Sequence, residues 1–236
     1  MKTVRRFLEE LYYIPYCSVC DSAAIPPLPS PHICRDCLST LPFRMGKEKV
    51  TWEGAFPLYA SLFYRDPVPR MVVSLKFSDR TDRANAMAPL LARTVERHSL
   101  SFDAIVPVPL HVKRERERGY NQAALIAGSL SEILALPVID GWLVRDVYTE
   151  PQSLSQTMKE RFLHLKDAFT LEDDLPVGHF LSGRHVLLVD DVLTTGATLS
   201  AAAAPLIAAG MKVTGLVAAS DKDRYDGYRE ALEAYF

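Results

Sequence analysis

The feature that most constrains this chain is a pair of aspartates between an apolar strand pattern and a glycine-containing turn. Residues 186–189 form an unbroken apolar run, which is typical of a strand buried on both faces of a sheet. Asp190 and Asp191 follow this run and are expected to mark the end of the strand. A turn of small and hydroxyl-bearing residues comes next, and an alanine-rich helix pattern begins after it. This order predicts a ligand site at the carboxyl edge of a parallel sheet.

The turn offers the groups that bind a phosphate. Backbone N–H groups and the positive end of the dipole at a helix start attract anions. The expected phosphate-binding residues are Leu193, Thr194, Thr195, Gly196, Ala197 and Thr198. Asp190 and Asp191 repel phosphate, but they can accept hydrogen bonds from sugar hydroxyls or face a hydrated Mg²⁺. An ordinary helix cap would explain one aspartate, but not two carboxylates at the end of a buried strand. The pattern therefore predicts a binder of a phosphorylated sugar.

All four cysteines lie within the first forty residues. They form two C-x-x-C pairs, Cys17 with Cys20 and Cys34 with Cys37, separated by thirteen residues. Four thiolates at this spacing can surround one tetrahedral Zn²⁺, and the proline-rich segment between the pairs cannot build a core of its own. Two disulfides are one alternative, but a chain that is not exported would not keep them. A redox pair is the other alternative, although such motifs lie at strand–helix junctions of larger domains.

Composition limits the classes of function. A chain of 236 residues suits one domain of ordinary size with a small appendage. The net charge of −2 argues against a broad basic surface, so nucleic-acid binding would need a local patch. No apolar run reaches the roughly 18 residues of a membrane span. Glu9 and Glu10 interrupt the short apolar stretch that a signal peptide would need. We therefore expect a cytoplasmic protein without membrane insertion.

Alternation of strand and helix patterns predicts an α/β fold with a doubly wound, mostly parallel sheet. Pro205 should kink or shorten the helix that contains it. Strands are predicted within residues 51–63 and over 102–108, 142–145, 185–189 and 212–219. Helices are predicted over residues 1–16, 67–77, 84–97, 121–136, 198–209 and 229–235.

Several stretches of the sequence resemble known families. The segment VLLVDDVLTTGATL resembles the phosphoribosyl-pyrophosphate (PRPP) motif of type I phosphoribosyltransferases. Residues 103–110 (DAIVPVPL) and 118–122 (RGYNQ), with the paired cysteines, resemble the ComF/GntX family of competence-protein-like chains. Residues 151–169 are similar to a loop of that family, although His164 stands where the family has an asparagine. The similarity extends over nearly the whole chain, from Cys17 to about residue 219.

The resemblance implies a domain organisation and an activity. It implies a zinc-knuckle module at residues 1–45 and a phosphoribosyltransferase-like domain at 46–236, with a hood-like region at 46–100 and a core at 101–236. It also implies binding of PRPP with Mg²⁺ and transfer of phosphoribose to an unidentified base. The leaving pyrophosphate in such a transfer needs Mg²⁺, backbone donors and cations.

The resemblance also assigns roles to residues. Asp190, Asp191 and Arg118 are the expected catalytic residues, and Pro109 and Leu110 are expected to join the turn in binding PRPP. Four cations interleaved with acidic residues could hold pyrophosphate or could form a solvated helix face: Lys113, Arg114, Arg116 and Arg118.

Two further parts of the chain could contribute to the site. Lys76 could reach it, although a lone lysine in an apolar helix more often extends to solvent. Residues 148–160 are expected to form a loop that closes over the substrate, with a disordered surface loop as the alternative.

A second function follows from the ComF resemblance, namely a non-catalytic accessory of DNA uptake. Such a protein would bind single-stranded DNA and work with a DNA-uptake helicase. Single-strand binding needs a cationic groove with stacking aromatic residues, and residues 114–120 supply several cations and one tyrosine. With so short a basic cluster we expect weak DNA binding at most. The sequence is also compatible with a homodimer.

Overall fold

A computed structural model describes residues 16–23, 32–48, 56–146, 168–172 and 182–221 of the chain. The strands in these ranges are β1 Phe43–Glu48, β2 Leu58–Phe63, β3 Ala104–Pro107, β4 Leu143–Arg145, β5 Phe169–Leu171, β6 His185–Leu193 and β7 Lys212–Ser220. The helices are α1 Arg35–Thr40, α2 Val68–Phe77, α3 Asp82–Arg97, α4 Val112–Arg118, α5 Gln122–Leu134 and α6 Ala197–Ala208.

Five of the described strands form the main sheet, in the order β1-β2-β7-β6-β3. Strands β2, β7, β6 and β3 are parallel, and β1 pairs antiparallel with β2 at one edge. In the centre of the sheet, Val189 of β6 pairs with Pro107 of β3 on one side and with Leu216 of β7 on the other. Strands β4 and β5 form a separate antiparallel pair. The predicted α/β fold with a mostly parallel sheet is confirmed.

The two faces of β6 contact different helices, as the unbroken apolar run predicted. Leu187 and Val189 belong to a core cluster that includes residues of α2, α3 and α5. Val186 and Leu188 belong to a second cluster that includes α6 and the β4–β5 pair. Burying each such side chain contributes about 1.5–3 kcal/mol. Burial of apolar side chains on both faces therefore fixes the position of β6. It also fixes the position of Asp190 and Asp191 near the carboxyl end of that strand.

Strand β6 is longer than predicted. The expectation that it ends at Val189 is wrong, because pairing with β7 continues from Asp190 opposite Val217 to Leu193 opposite Ser220. Helix α6 continues through Pro205 and ends three residues later at Ala208. Strand β1 was not predicted. Its buried positions include a charged pair, Arg44 and Glu48, so the sequence lacks the alternation of apolar and polar residues that is typical of a strand.

Some expectations fall outside the described residues. These are most of the predicted helix at 1–16, the helix at 229–235, the loop at 148–160 and His164. In the ranges that the structure covers, no helix is both long enough and apolar enough to pass through a bilayer.

Candidate functional site

The two aspartates lie side by side at the carboxyl end of β6. The backbone N–H of Asp191 donates to Oδ1 of Asp190 at 2.9 Å. Nζ of Lys76, near the C-terminus of α2, lies 2.7 Å from Oδ2 of Asp191. Burial and the adjacent charge of Asp191 raise the pKa of Asp190 to about 7. Asp190 therefore changes its charge near neutral pH, and a bound cation would favour its ionised form.

The turn after the aspartates positions the start of α6. Gly196 has a φ of 86°, in the left-handed region that glycine adopts without strain, and α6 begins at the next residue. Oγ1 of Thr195 accepts a hydrogen bond from the Ala197 N–H at 3.3 Å. Thr198 lines the cavity in front of the aspartates, whereas the side chain of Leu193 is buried in the core. Any contact of Leu193 with a ligand would therefore come from its backbone.

The cavity in front of the aspartates combines acidic, cationic and amide side chains. It is open to solvent and is lined by Lys76, Val108, Pro109, Leu110, Arg114, Arg118, Asn121, Gln122, Arg145, Asp190, Asp191 and Thr198. The structure thus brings six of the expected site residues to one place: Pro109, Leu110, Arg118, Asp190, Asp191 and Thr198. The lining residues come from five separate parts of the chain.

The cations of α4 divide into two groups. Arg114 and Arg118 line the cavity, whereas Lys113 and Arg116 are exposed on the outer face of the helix. The guanidinium of Arg118 lies over the ring of Phe77, 4.9 Å from its centroid. Burial lowers the pKa of Arg118 from its ordinary value. The inner face of α4 therefore suits pyrophosphate binding, and its outer face is a solvated helix face. Both predictions for this charged segment apply, each to a different face.

The Gly119–Gln122 segment connects the walls of the cavity. Gly119 ends α4 with a φ of 81°. The hydroxyl of Tyr120 donates to the Leu75 carbonyl at 2.6 Å, which ties this segment to α2. Asn121 donates from Nδ2 to the Val108 carbonyl at 3.0 Å and accepts from the Ala123 N–H as the cap of α5. This segment therefore holds α2, the loop after β3 and α5 together.

Sequence reasoning assigned no role to two lining residues, Arg145 and Gln122, and left two alternatives for Lys76. Of these the structure shows the first, because Lys76 reaches the site and pairs with Asp191. Arg145 on β4 is 8% exposed, and its guanidinium lies 5.3 Å from the ring centroid of Phe169. Gln122 is 3% exposed at the first position of α5. An arginine inside a short apolar strand was a usable signal for Arg145, because buried arginines are rare without a partner or a ligand.

The four cysteines form a second candidate site. The Sγ atoms of Cys17, Cys20, Cys34 and Cys37 all lie within 4.8 Å of one another. Cys17 is fully buried, and its sulfur accepts hydrogen bonds from the N–H groups of Val19 at 3.4 Å and Cys34 at 3.3 Å. Hydrogen bonds from Ser22 lower the pKa of Cys20 to about 6, whereas burial raises the pKa of Cys37. Zn–S bonds of about 2.3 Å would suit this cluster, which could hold a zinc ion.

A polar network fastens the cysteine cluster to the main core. Asp21, next to Cys20, accepts hydrogen bonds from Arg80 at 2.6 Å and from Arg83 at 2.7 Å. Arg83 is 3% exposed and also donates to the Ser74 hydroxyl on α2 at 3.3 Å. The cluster is thus joined to the helix that carries Lys76.

Comparison with known proteins agrees with this architecture. A family model described as the phosphoribosyl transferase domain matches residues 121–231. The fold is therefore of the phosphoribosyltransferase type, here joined to a four-cysteine cluster. Among solved structures, the orotate phosphoribosyltransferase from Aeropyrum pernix is similar with a TM-score of 0.39 and 17% identity, over 80% of each chain.

Two curated relatives are more specific. The chain is 32% identical over 200 residues to Competence protein F of Haemophilus influenzae, a match that covers 81% of this chain and 78% of that protein. It is 37% identical over 153 residues to the DNA utilization protein YhgH of Escherichia coli, covering 62% of this chain and 64% of that protein. The chain belongs to the family of competence protein F, the ComF/GntX family.

Proposed function

We propose that this chain binds PRPP with Mg²⁺ and transfers its phosphoribosyl group to a nitrogenous base. One observation carries the proposal, namely a single cavity that holds two carboxylates, Asp190 and Asp191, opposite several cations. A sugar with phosphate groups at both ends needs this combination. Its hydroxyls need acceptors, and its phosphates need positive charge and N–H donors.

The elements suggest an orientation for the substrate. The 5′-phosphate would lie on the turn at residues 193–198, where the N-terminus of α6 attracts an anion. The ribose hydroxyls would donate to Asp190 and Asp191. The pyrophosphate, attached to the far side of the ribose, would then face Arg114 and Arg118. When bound, Mg²⁺ supplies positive charge that stabilises the leaving pyrophosphate.

Lys76 has a role in this proposal because its Nζ pairs with Asp191 at 2.7 Å. The ammonium partly neutralises the acidic pair and so lowers the pKa of Asp190 against the effects of burial and Asp191. Ligand binding would move Lys76 from Asp191 to an oxygen of the pyrophosphate. A cation that changes partners in this way limits the rise in the pKa of Asp190 before the sugar arrives.

The test is a double substitution of the acidic pair. Asp190→Asn/Asp191→Asn keeps the size of both side chains but removes their charge. We expect PRPP affinity in the presence of Mg²⁺, measured by calorimetry, to fall by a hundredfold or more. The matched control is Asp103→Asn/Asp140→Asn, which removes the same charge from exposed positions. Equal affinities of the two double variants would contradict the proposal.

A second function, as an accessory of DNA uptake, is favoured by the names of the relatives and by one surface. Lys113 and Arg116 are exposed on α4, and Phe77, whose ring contacts Arg118 of the same helix, is 69% exposed. Exposed cations next to an exposed aromatic ring are the groups that bind single strands.

Under either function we propose that the protein acts in the cytoplasm, with Zn²⁺ on Cys17, Cys20, Cys34 and Cys37.

A further inference from the structure

Gln122 carries a buried hydrogen-bond donor that the described residues leave without a partner. The residue is 3% exposed, lines the cavity and occupies the first position of α5. Its Nε2 atom has no hydrogen-bond partner in the part of the chain that the structure describes. Its neighbour Asn121, in contrast, uses both ends of its amide, as a donor to Val108 and as an acceptor from Ala123. The two adjacent amides therefore serve different purposes.

An unused buried donor indicates a ligand. A buried amide N–H without a partner destabilises a folded protein, so most native donors of this kind are satisfied. Gln122 is held beside the cavity, at the start of a thirteen-residue helix. Helix N-termini attract negative charge, and Arg114 and Arg118 line the same cavity. The surroundings therefore select an anion with acceptor oxygens as the partner.

We infer that the Nε2 amide of Gln122 donates a hydrogen bond to an oxygen of the pyrophosphate group of the substrate. This assignment rests on the proposed function. Asp190 and Asp191 repel phosphate oxygens, so the anionic end must lie away from them, toward α4 and the start of α5. A neutral donor at this point fixes the position of the pyrophosphate without adding charge to a site that already holds three arginines, Arg114, Arg118 and Arg145. Gln122 is thus a binding residue for the leaving group.

The test uses pyrophosphate and ribose 5-phosphate as separate probes, each with Mg²⁺. Gln122→Met keeps the length of the side chain but removes the donor. We expect pyrophosphate and PRPP affinity to fall about tenfold or more, which is the effect of one hydrogen bond to a charged acceptor. Ribose 5-phosphate affinity should change less than twofold. The melting temperature without ligand should stay the same or rise, because the variant no longer buries an unused donor.

A charged variant gives a second measurement. Gln122→Glu places a carboxylate against the pyrophosphate and should weaken its binding further than Gln122→Met does. Asn85→Asp adds the same charge at an exposed position on α3 that does not line the cavity. We expect that control to bind pyrophosphate within twofold of the wild-type chain.

The outcomes separate this inference from the proposed function. Unchanged pyrophosphate affinity in both Gln122 variants, with normal PRPP binding by the wild-type chain, would overturn the inference alone. An equal loss for ribose 5-phosphate, or a lower melting temperature in Gln122→Met, would show a structural role and would also overturn it. Pyrophosphate binding that depends on Gln122 in a chain that does not bind PRPP would support the subsite and refute the proposed function. A wild-type chain that binds neither ligand would refute both.

Discussion

The pKa values of the carboxyl groups shift in opposite directions beside the cysteine cluster and in the acidic cavity. Beside the cluster, Asp21 accepts two hydrogen bonds from arginines, and Asp82 accepts from Arg80 and from Ser18. Burial would raise the pKa of both carboxyls, but these hydrogen bonds outweigh it and hold both pKa values below their ordinary value. In the cavity, burial and a like charge raise the pKa of Asp190 instead.

This difference is the one expected between a structural site and a ligand site. Charges that are paired within the protein stabilise the fold and fix one conformation. Charges held near like charges reduce stability and become favourable only when a ligand arrives. The comparison therefore predicts that changes near the cysteines act mainly on folding, whereas changes in the cavity act mainly on binding.

The largest effect on folding should come from the cysteines. Cys17→Ser replaces the fully buried thiol and should abolish binding of one zinc ion per chain. Structural zinc contributes roughly 10 kcal/mol or more of apparent folding energy in small modules, so we expect a large fall in melting temperature. Elemental analysis and thermal unfolding measure the two effects. Ser39→Ala, an exposed change on α1, should alter neither. Full zinc content in Cys17→Ser would contradict the four-thiolate site.

Changes to the paired charges beside the cluster should have the next largest effect on the free energy of unfolding. The loss should differ according to which partner is replaced. Asp21→Ala leaves the buried guanidinium of Arg83 without its carboxylate, which we expect to lower the free energy of unfolding by about 2–3 kcal/mol. Arg83→Met replaces the buried charge by an apolar side chain of similar length and should lower it by less than about 1 kcal/mol. Urea unfolding of the two variants measures this difference. A larger loss in Arg83→Met would show that the ion pair itself is the main stabilising contact.

The sequence predicted the apolar frame of this fold better than its polar contacts. Residues 186–189 could be assigned to a central strand because burial on both faces leaves a continuous apolar pattern. The position of Asp190 and Asp191 followed from that strand, although pairing with β7 carries the ladder through them. Strand β1 escaped prediction because Arg44 and Glu48 are both 2% exposed in an ion pair of 2.7 Å. Such a pair requires a tertiary partner that periodicity does not reveal.

The composition of the cavity shows the same limit. The paired aspartates and the turn threonines could be identified because adjacent residues carry the signal. Lys76 and Arg145 belong to the site only because α2 and β4 approach the end of β6, and no local pattern encodes that approach. Gln122 lay inside a recognised motif, but its role depends on burial, which the motif does not show.

Binding in the cavity should depend on pH through Asp190. Its pKa is raised from 3.8 to about 7, so the folded chain retains a proton that the unfolded chain loses between these values. Stability of the ligand-free chain should therefore decrease as the pH rises from about 4 to 7. PRPP binding needs the ionised carboxylate, so affinity should rise about tenfold from pH 6 to pH 8. Calorimetry at both pH values measures this change.

Two variants separate Asp190 from the titration of the ligand itself. Asp190→Asn should keep only the pH dependence that the phosphate groups of PRPP contribute. Lys76→Met removes a charge that lowers the pKa of Asp190, so the midpoint of the binding profile should move above pH 7. A midpoint that stays the same in both variants would assign the titration to another group.

The smallest effect on PRPP binding should come from the outer face of α4. Lys113→Ala/Arg116→Ala changes two exposed cations and should alter PRPP affinity less than twofold, because neither side chain lines the cavity. Arg114→Ala/Arg118→Ala removes the same number of charges from the cavity wall and should weaken PRPP binding by tenfold or more.

The same two variants test the DNA function with a thymidine oligonucleotide at several salt concentrations. If the outer cations contact a single strand, their loss should change how binding depends on salt. The slope of log K against log salt concentration should become shallower by about 0.7 per lost contact. An outer-face variant that loses PRPP affinity as strongly as the cavity variant would show that the two faces of α4 do not have separate roles.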